Sequence, residues 1–178
     1  VNKDGTYKDG IYRTDPNELF SKRVANNLYI NNTYEDTIYK QIIESPIKDK
    51  GKYLYSDLGY YFLKRIIEKE TSSALNVYVK NTFYAPLGLT TMGYKPLTRF
   101  EKDRIIPTEF DKKFRKQLVH GDVHDQGAAM LGGVGGHAGV FSNANDLAIL
   151  MQMLLNKGEY GNKRYIDSST VSQFTKCQ

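Results

Sequence analysis

Apolar residues recur with a helical period in several stretches of this chain. The clearest runs from Ala144 to Asn156, where Leu147, Leu150, Met151, Leu154 and Leu155 fall at i, i+3, i+4, i+7 and i+8. That spacing predicts an amphipathic helix with this stripe facing a core. Asn143 stands at the cap position, Asp146 is third in the helix, and Gly158 supplies the stop. A second helix is predicted from Tyr34 to Glu44, capped by Thr33, with Tyr34, Ile38, Gln41, Ile42 and Ile43 on one side. Pro46 and the turn Lys48-Asp49-Lys50-Gly51 end it. A third starts at Asp57 behind Ser56 as cap and runs to about Lys69. Its apolar residues Leu58, Tyr61, Phe62, Ile66 and Ile67 cover a wide face. A fourth spans about Ala74 to Phe83, before Pro86. Ser168 or Ser169 opens a last one bearing Val171 and Phe174. A short helix from Asn17 to Val24 is expected after Asp15 and Pro16.

Elsewhere the pattern changes. Gly132, Gly133, Gly135 and Gly136 form a loop dense in glycine, and His137 to Phe141 reads as a short strand after it. Leu28-Tyr29-Ile30 is apolar but too short to assign. Thr90 to Gly127 has no sustained period and contains Pro96 and Pro107. A loop of that length in a compact domain is usually functional or a lid. A short helix around Asp111 to Leu118 is expected to interrupt it. No repeat or low-complexity tract divides the chain, so residues 1–178 read as a single domain.

Composition narrows the class. The chain has 178 residues, 40% hydrophobic and 25% charged, which fits a globular protein with a real core rather than a disordered or fibrous one. The net charge is +5. The densest basic stretch, Lys95 to Lys116, mixes acidic residues with its lysines and arginines, so no nucleic-acid partner is indicated. Cys177 is the single cysteine, which rules out an intrachain disulfide. No apolar run is long enough for a membrane span. The chain opens with Val-Asn-Lys-Asp, and residues are expected to precede Val1.

Three places carry candidate chemistry. Tyr55 lies just before a helix start, where the helix dipole favours negative charge, so the phenol is a candidate base held partly as phenolate. The ordinary alternative makes Tyr55 an aromatic staple and Ser56 only a cap. His137-Ala138-Gly139 would give a strand edge of little bulk, along which a substrate backbone fits, with the Val140 N–H facing a developing oxyanion. The ordinary alternative for His137 is a satisfied core histidine. His120, Asp122, His124 and Asp125 invite a metal reading, but neither a cysteine nor a helical histidine pair supports it. No metal or other cofactor is expected.

Jointly, YSDLGYYFLKRIIEK, FYAPLGLTTMGY and VHDQGAAMLGGVGGHAGVFSNANDLAILMQMLLN resemble the serine beta-lactamase-related family. That family holds class C beta-lactamases, D-alanyl-D-alanine carboxypeptidases and related esterases. The likeness covers about Thr33 to Thr175 and looks nearest to beta-lactamase-like domains of Bacteroidetes-type bacteria, some fused to a glycoside hydrolase. The resemblance implies an α+β fold, of which this chain would supply a mostly helical fragment with few strands, one partial domain. It implies a bacterial, penicillin-binding serine hydrolase of the periplasm or cell envelope. Such an enzyme works by acyl transfer on a beta-lactam, peptidoglycan peptide or ester.

By the same resemblance Tyr55 is the tyrosine of a Y-x-N motif, with Asp57 where asparagine is usual. His137 and Gly139 match an H-x-G third motif, Ala138 and Gly139 line the substrate, and Val140 gives the oxyanion N–H. A carboxylate at position 57 cannot donate the amide hydrogen bond, which counts against beta-lactam turnover. Ser45-Pro46-Ile47-Lys48 matches the nucleophile signature S-x-x-K, but Asp49, Lys50, Gly51 and Lys52 beyond it form neither an apolar nor a helical run, so the match is rejected. The nucleophile is expected outside this chain, which alone should be inactive. The resemblance also leaves room for homo-oligomerisation, for a glycoside hydrolase fusion, and for a non-catalytic domain that binds cell-wall peptide or a partner protein.

Overall fold

The computed structural model describes residues 1–2, 4–47 and 50–177. It is α+β and mostly helical, with small antiparallel sheets. Its contacts divide into two compact units, Val1–Leu75 with Tyr94–Val140, and Asn76–Gly93 with Phe141–Gln178.

The first unit begins with three short strands, β1 (Tyr12–Arg13), β2 (Lys22–Ala25) and β3 (Leu28–Ile30), paired in the order β1-β3-β2. The helix expected over Asn17 to Val24 does not form. The Asn17 side-chain oxygen accepts the N–H groups of Leu19 and Phe20, closing a tight turn that competes with helix. The chain then enters β2, whose Val24 and Ala25 are buried with Leu28 and Ile30 of β3. Ala128, Ala129, Phe114 and Val123 complete this core.

Helices α1 (Tyr34–Ile43) and α2 (Leu58–Thr71) form where expected, but the buried residues are Tyr39 in α1 and Tyr61 with Lys64 in α2, while Ile43, Leu58 and Ile66 of the predicted faces are exposed. Thr33 precedes α1, but its hydroxyl and N–H both donate to Asn31 Oδ1 rather than capping the helix. Ser56 Oγ accepts from Leu58 N–H at 3.2 Å, as a residue just before a helix can. Tyr39 of α1, Tyr61 of α2 and Leu131 form a second small core. The helix expected at Asp111 to Leu118 is instead a hairpin, β4 (Glu109–Asp111) with β5 (Gln117–Val119). Asp111 Oδ1 accepts from Lys113 and Phe114 N–H and closes the turn, and Lys116 sits at φ 54°, which no helix tolerates. Two 3-10 turns, Pro96–Thr98 and Lys102–Arg104, also break up the long aperiodic stretch. Helix α3 (Leu75–Val79) carries the chain from the first unit into the second. The short α4 (Gln126–Met130) is capped by Asp125.

In the second unit the chain from α3 continues as a π turn, Lys80–Tyr84, closed by Ala85 N–H on Lys80 O at 2.8 Å. Helix α5 (Ala144–Leu155) is capped by Asn143, whose side chain accepts from Asp146 N–H. A two-residue hairpin β6 (Glu159–Tyr160) with β7 (Lys163–Arg164) and helix α6 (Ser168–Thr175) finish the chain. The core holds Leu87, Leu89, Met92 and Met153, flanked by Ile149, Leu150 and Leu154. The buried face of α5 is therefore rotated from the predicted one. Met153 is 1% exposed, whereas Leu147, Met151 and Leu155 stand at 47%, 42% and 76%. Helix α5 is apolar nearly all round, so its period alone could not choose between two faces. Asp146 fixes the orientation, accepting from Thr91 N–H, Thr91 hydroxyl and Met92 N–H at 2.7, 2.7 and 3.0 Å. Among the described residues no helix is long and apolar enough to cross a membrane.

Candidate active site

The glycine loop does not lead into a strand. His137 to Val140 lies in bends and irregular backbone, and Phe141 makes a single antiparallel bridge with Gly93. The expected strand over His137 to Phe141 is thus one bridge pair, with N–H to O distances of 2.9 and 2.8 Å.

His137 also faces inward. Its side chain is 3% exposed, and Nε2 lies 2.9 Å from Asp125 Oδ1. The ring stacks on Tyr61 of α2, with centroids 4.6 Å apart and planes at 17°. Nδ1 is buried, and among the described residues it makes no hydrogen bond. Asp125 serves two donors with one oxygen, since Oδ1 also accepts Ala128 N–H at 2.7 Å. Burial pushes the Asp125 carboxyl up, but the N–H of Ala128 and the His137 imidazole outweigh it and hold it below the usual range. Burial, with Asp125 and Asp57 nearby, pushes the Tyr61 phenol up to about 12, so it stays neutral.

The small residues around the loop are used for packing. A Cβ on Gly139 would lie 2.6 Å from Gly133 O and 3.0 Å from the Tyr94 ring, and Tyr94 hydroxyl donates to Gly135 O at 3.0 Å. Ala138 packs on the first core. Ala138 and Gly139, the residues expected to line a substrate, thus have packed neighbours on the side where their bulk is missing. Gly136 backs onto the Tyr60 carbonyl of α2, and Gly127 onto the Tyr61 hydroxyl. Val140 is different. It is 45% exposed, and among the described residues its N–H donates to no backbone carbonyl.

Tyr55 is 76% exposed on irregular backbone ahead of α2. Asp57, which hydrogen-bonds it and adds negative charge, pushes the phenol up. The structure thus corrects the expected partial phenolate: the nearby carboxylate works against it. Ser45 Oγ donates to Ile42 O at the end of α1, and Lys48 lies outside the described residues. The histidines and aspartate of the metal reading go to separate partners. Asp122 takes both arms of Arg23 at 2.7 and 2.9 Å, His120 Nε2 meets Ile105 O at 2.5 Å, and His124 is exposed.

Two neighbours of the loop escape sequence reasoning. The pattern marks Tyr61 only as a core residue, and Asp125 only as part of the metal set. A signal for Asp125 is present, because an aspartate before the small residues Gly127, Ala128 and Ala129 is a helix cap pattern. Beside them Lys64, 5% exposed, joins Glu35 at 3.1 Å and Glu68 at 2.9 Å, and Glu35 also takes Lys22 at 2.6 Å. A cavity of about 310 Å³ opens between α1, α2 and α4, walled by Ile38, Ile42, Leu58 and Met130 with Tyr61 and Gly127.

This α+β fold is shared with a penicillin-binding protein homologue and a D-amino acid amidase. The chain superposes on the octameric penicillin-binding protein homologue from Pyrococcus abyssi with TM-score 0.55 and 24% identity, covering 79% of this chain and 29% of that one. It superposes on the D-amino acid amidase from Ochrobactrum anthropi SV3 with TM-score 0.54 and 15% identity, covering 88% and 44%. The beta-lactamase family model matches residues 7–175, and the chain belongs to that family. It is 38% identical over 170 residues to the "Putative D-alanyl-D-alanine carboxypeptidase" of Salmonella gallinarum, and equally to that of Salmonella typhi. Each match covers 88% of this chain and 39% of the relative, so the chain spans about two fifths of the length of these curated relatives.

Proposed function

We propose that this chain is the mostly helical part of a serine hydrolase that transfers acyl groups from D-alanyl-D-alanine-type peptidoglycan peptides. The observation that carries this reading is the 38% identity to proteins named D-alanyl-D-alanine carboxypeptidases. Both compact units are taken as one partial domain, a reading supported by the family match across 7–175. The nucleophilic serine and its lysine are assigned to the part of the relatives' length that this chain does not span.

In the proposed reaction the serine oxygen attacks the peptide carbonyl, forming an ester and releasing the terminal amine, and water then hydrolyses the ester. Tyr55 passes the serine proton towards the leaving amine. Its phenol, pushed up by Asp57, suits a proton donor better than a standing base. The N–H of Val140 supports the developing oxyanion. The site of action is the periplasm or cell envelope.

A second reading, a non-catalytic domain that binds cell-wall peptide or a partner protein, is favoured by Asp57 in place of asparagine. A fluorescent penicillin or phosphonate probe separates the two. The full-length protein should label at a serine of an S-x-x-K helix, and these 178 residues alone should give no labelled band. A full-length protein without such a serine, or one that never labels, overturns the enzyme reading. Labelling at Ser45 overturns the placement of the nucleophile.

A further inference from the structure

His137 is the one described side chain with a buried polar atom, Nδ1, that makes no hydrogen bond. Leaving such an atom unpaired is costly, so native proteins rarely keep one without a use. Here the surroundings are built for the ring. Tyr61 lies flat against it at 4.6 Å. Gly135 leaves it room, since a Cβ there would sit 3.0 Å from His137 Cε1 and from Ala128 Cβ. Gly127 leaves room for the Tyr61 hydroxyl behind it. Asp125 holds Nε2 at 2.9 Å and is itself fixed as the cap of α4 by Ala128 N–H at 2.7 Å.

We infer that Asp125 is a positioning residue, which locks His137 as the Nε2–H tautomer and thereby pins the glycine loop that ends at Val140. A carboxylate only accepts hydrogen bonds, so the nitrogen facing it must carry the proton. In the neutral ring Nδ1 is then a bare lone pair, so the buried unpaired atom is an acceptor and not an N–H donor. The opposite tautomer would bury an N–H with no acceptor and set two acceptors against each other. The lock therefore ties three pieces of chain together: the end of the glycine loop, the cap of α4 and the face of α2. Three residues after His137 comes Val140, which is 45% exposed and whose N–H donates to no backbone carbonyl among the described residues. For its consequence at Val140, though not for the tautomer, this inference rests on the acyl-transfer reading.

The test is long-range proton–nitrogen NMR on the histidine-labelled chain, where only three histidines need assignment. Wild type should show His137 with a pyrrole-type Nε2 and a pyridine-type Nδ1 at neutral pH. An averaged ring, or an Nδ1–H ring, overturns the lock, and this spectrum decides even if a variant fails to fold. Asp125→Asn keeps a good helix cap but presents either an oxygen or an NH₂ to the ring. It should release the fixed tautomer, and an unchanged tautomer removes the positioning role of the charge. In the full-length protein the same variant should lower kcat on the order of 100-fold, the scale of a misplaced catalytic group, with little change in KM. A released tautomer with unchanged kcat overturns the link to Val140. If wild type is itself inert to the probe, the acyl-transfer reading fails while the tautomer result still stands.

Discussion

Arg115 and Asp111 meet inside the protein, with Nε 2.8 Å from Oδ2 and side-chain exposures of 0% and 2%. Arg115 also donates to the carbonyls of Val123 and His124, at 2.5 and 2.6 Å, so one guanidinium ties the β4–β5 hairpin to the approach to α4. Removing it takes the cationic partner from a buried carboxylate and a donor from two carbonyls. Arg115→Met should cost about 3–5 kcal/mol, the range for breaking a buried pair by removing one partner. Urea unfolding of the chain measures it, and a loss under about 1 kcal/mol would contradict the buried clamp.

The same aspartate shapes the acid limb of stability. Burial pushes the Asp111 carboxyl up, but the Phe114 N–H, the Arg115 guanidinium and two further N–H groups bring it down to about 2 from its ordinary 3.8. A carboxyl depressed in the folded state stabilises fully above its unfolded value and loses that contribution as pH falls through its folded value. Asp125 and Asp146 are depressed as well. Melting temperature should hold down to about pH 4 and fall steeply towards about pH 2, with Asp111→Asn flattening that limb. A flat profile in wild type would refute the assignment.

Two glycines that look alike in sequence should behave oppositely. A Cβ at Gly136 would overlap the Tyr60 carbonyl, a backbone atom that cannot step aside, whereas one at Gly59 in α2 meets nothing within 4 Å. Gly136→Ala should destabilise by about 1–3 kcal/mol as overpacking does. Gly59→Ala should stabilise by about 0.5–1 kcal/mol through helix propensity. Paired denaturation curves of the two variants check both signs.

The two faces of α5 give a direct contrast. Met153→Ala should cost about 2–5 kcal/mol as a core truncation. Leu155→Glu, at a position 76% exposed, should stay within about 0.5 kcal/mol. A larger cost at Leu155 than at Met153 would mean that the helix is turned to the face its sequence period predicted.

At the start of α2, Asp57 raises the ionisation of Tyr55 by a hydrogen bond and by its charge. Asp57→Asn should bring the Tyr55 phenol back down towards its ordinary value of 10.0. Carbon NMR of the labelled tyrosine ring, tracked against pH, reads this directly. A phenol that titrates higher in the variant would rule out Asp57 as the cause.

Local signals were sufficient where one choice had no competitor. Asn143 with Asp146, the positions of α1 and α2, and the family-like segments around Tyr55 and His137 could be read from the sequence. The cap and the two helices rest on contacts within a few residues, which propensity and capping describe well, whereas the segments rest on resemblance. Where two local structures compete, the sequence was silent. Asn17 and Asp111 each turned a helix-like stretch into a turn by capturing backbone N–H groups, and Asp111 was held there by Arg115 and Gln126 from further along the chain. The buried face of α5 was settled by Asp146 reaching Thr91 and Met92, over 50 residues away. The meeting of His137 with Asp125 and Tyr61 was likewise a tertiary matter. A histidine in a glycine loop is open to either a working or a structural role until it is known what lies against its two nitrogens, and only the folded chain brings those groups together.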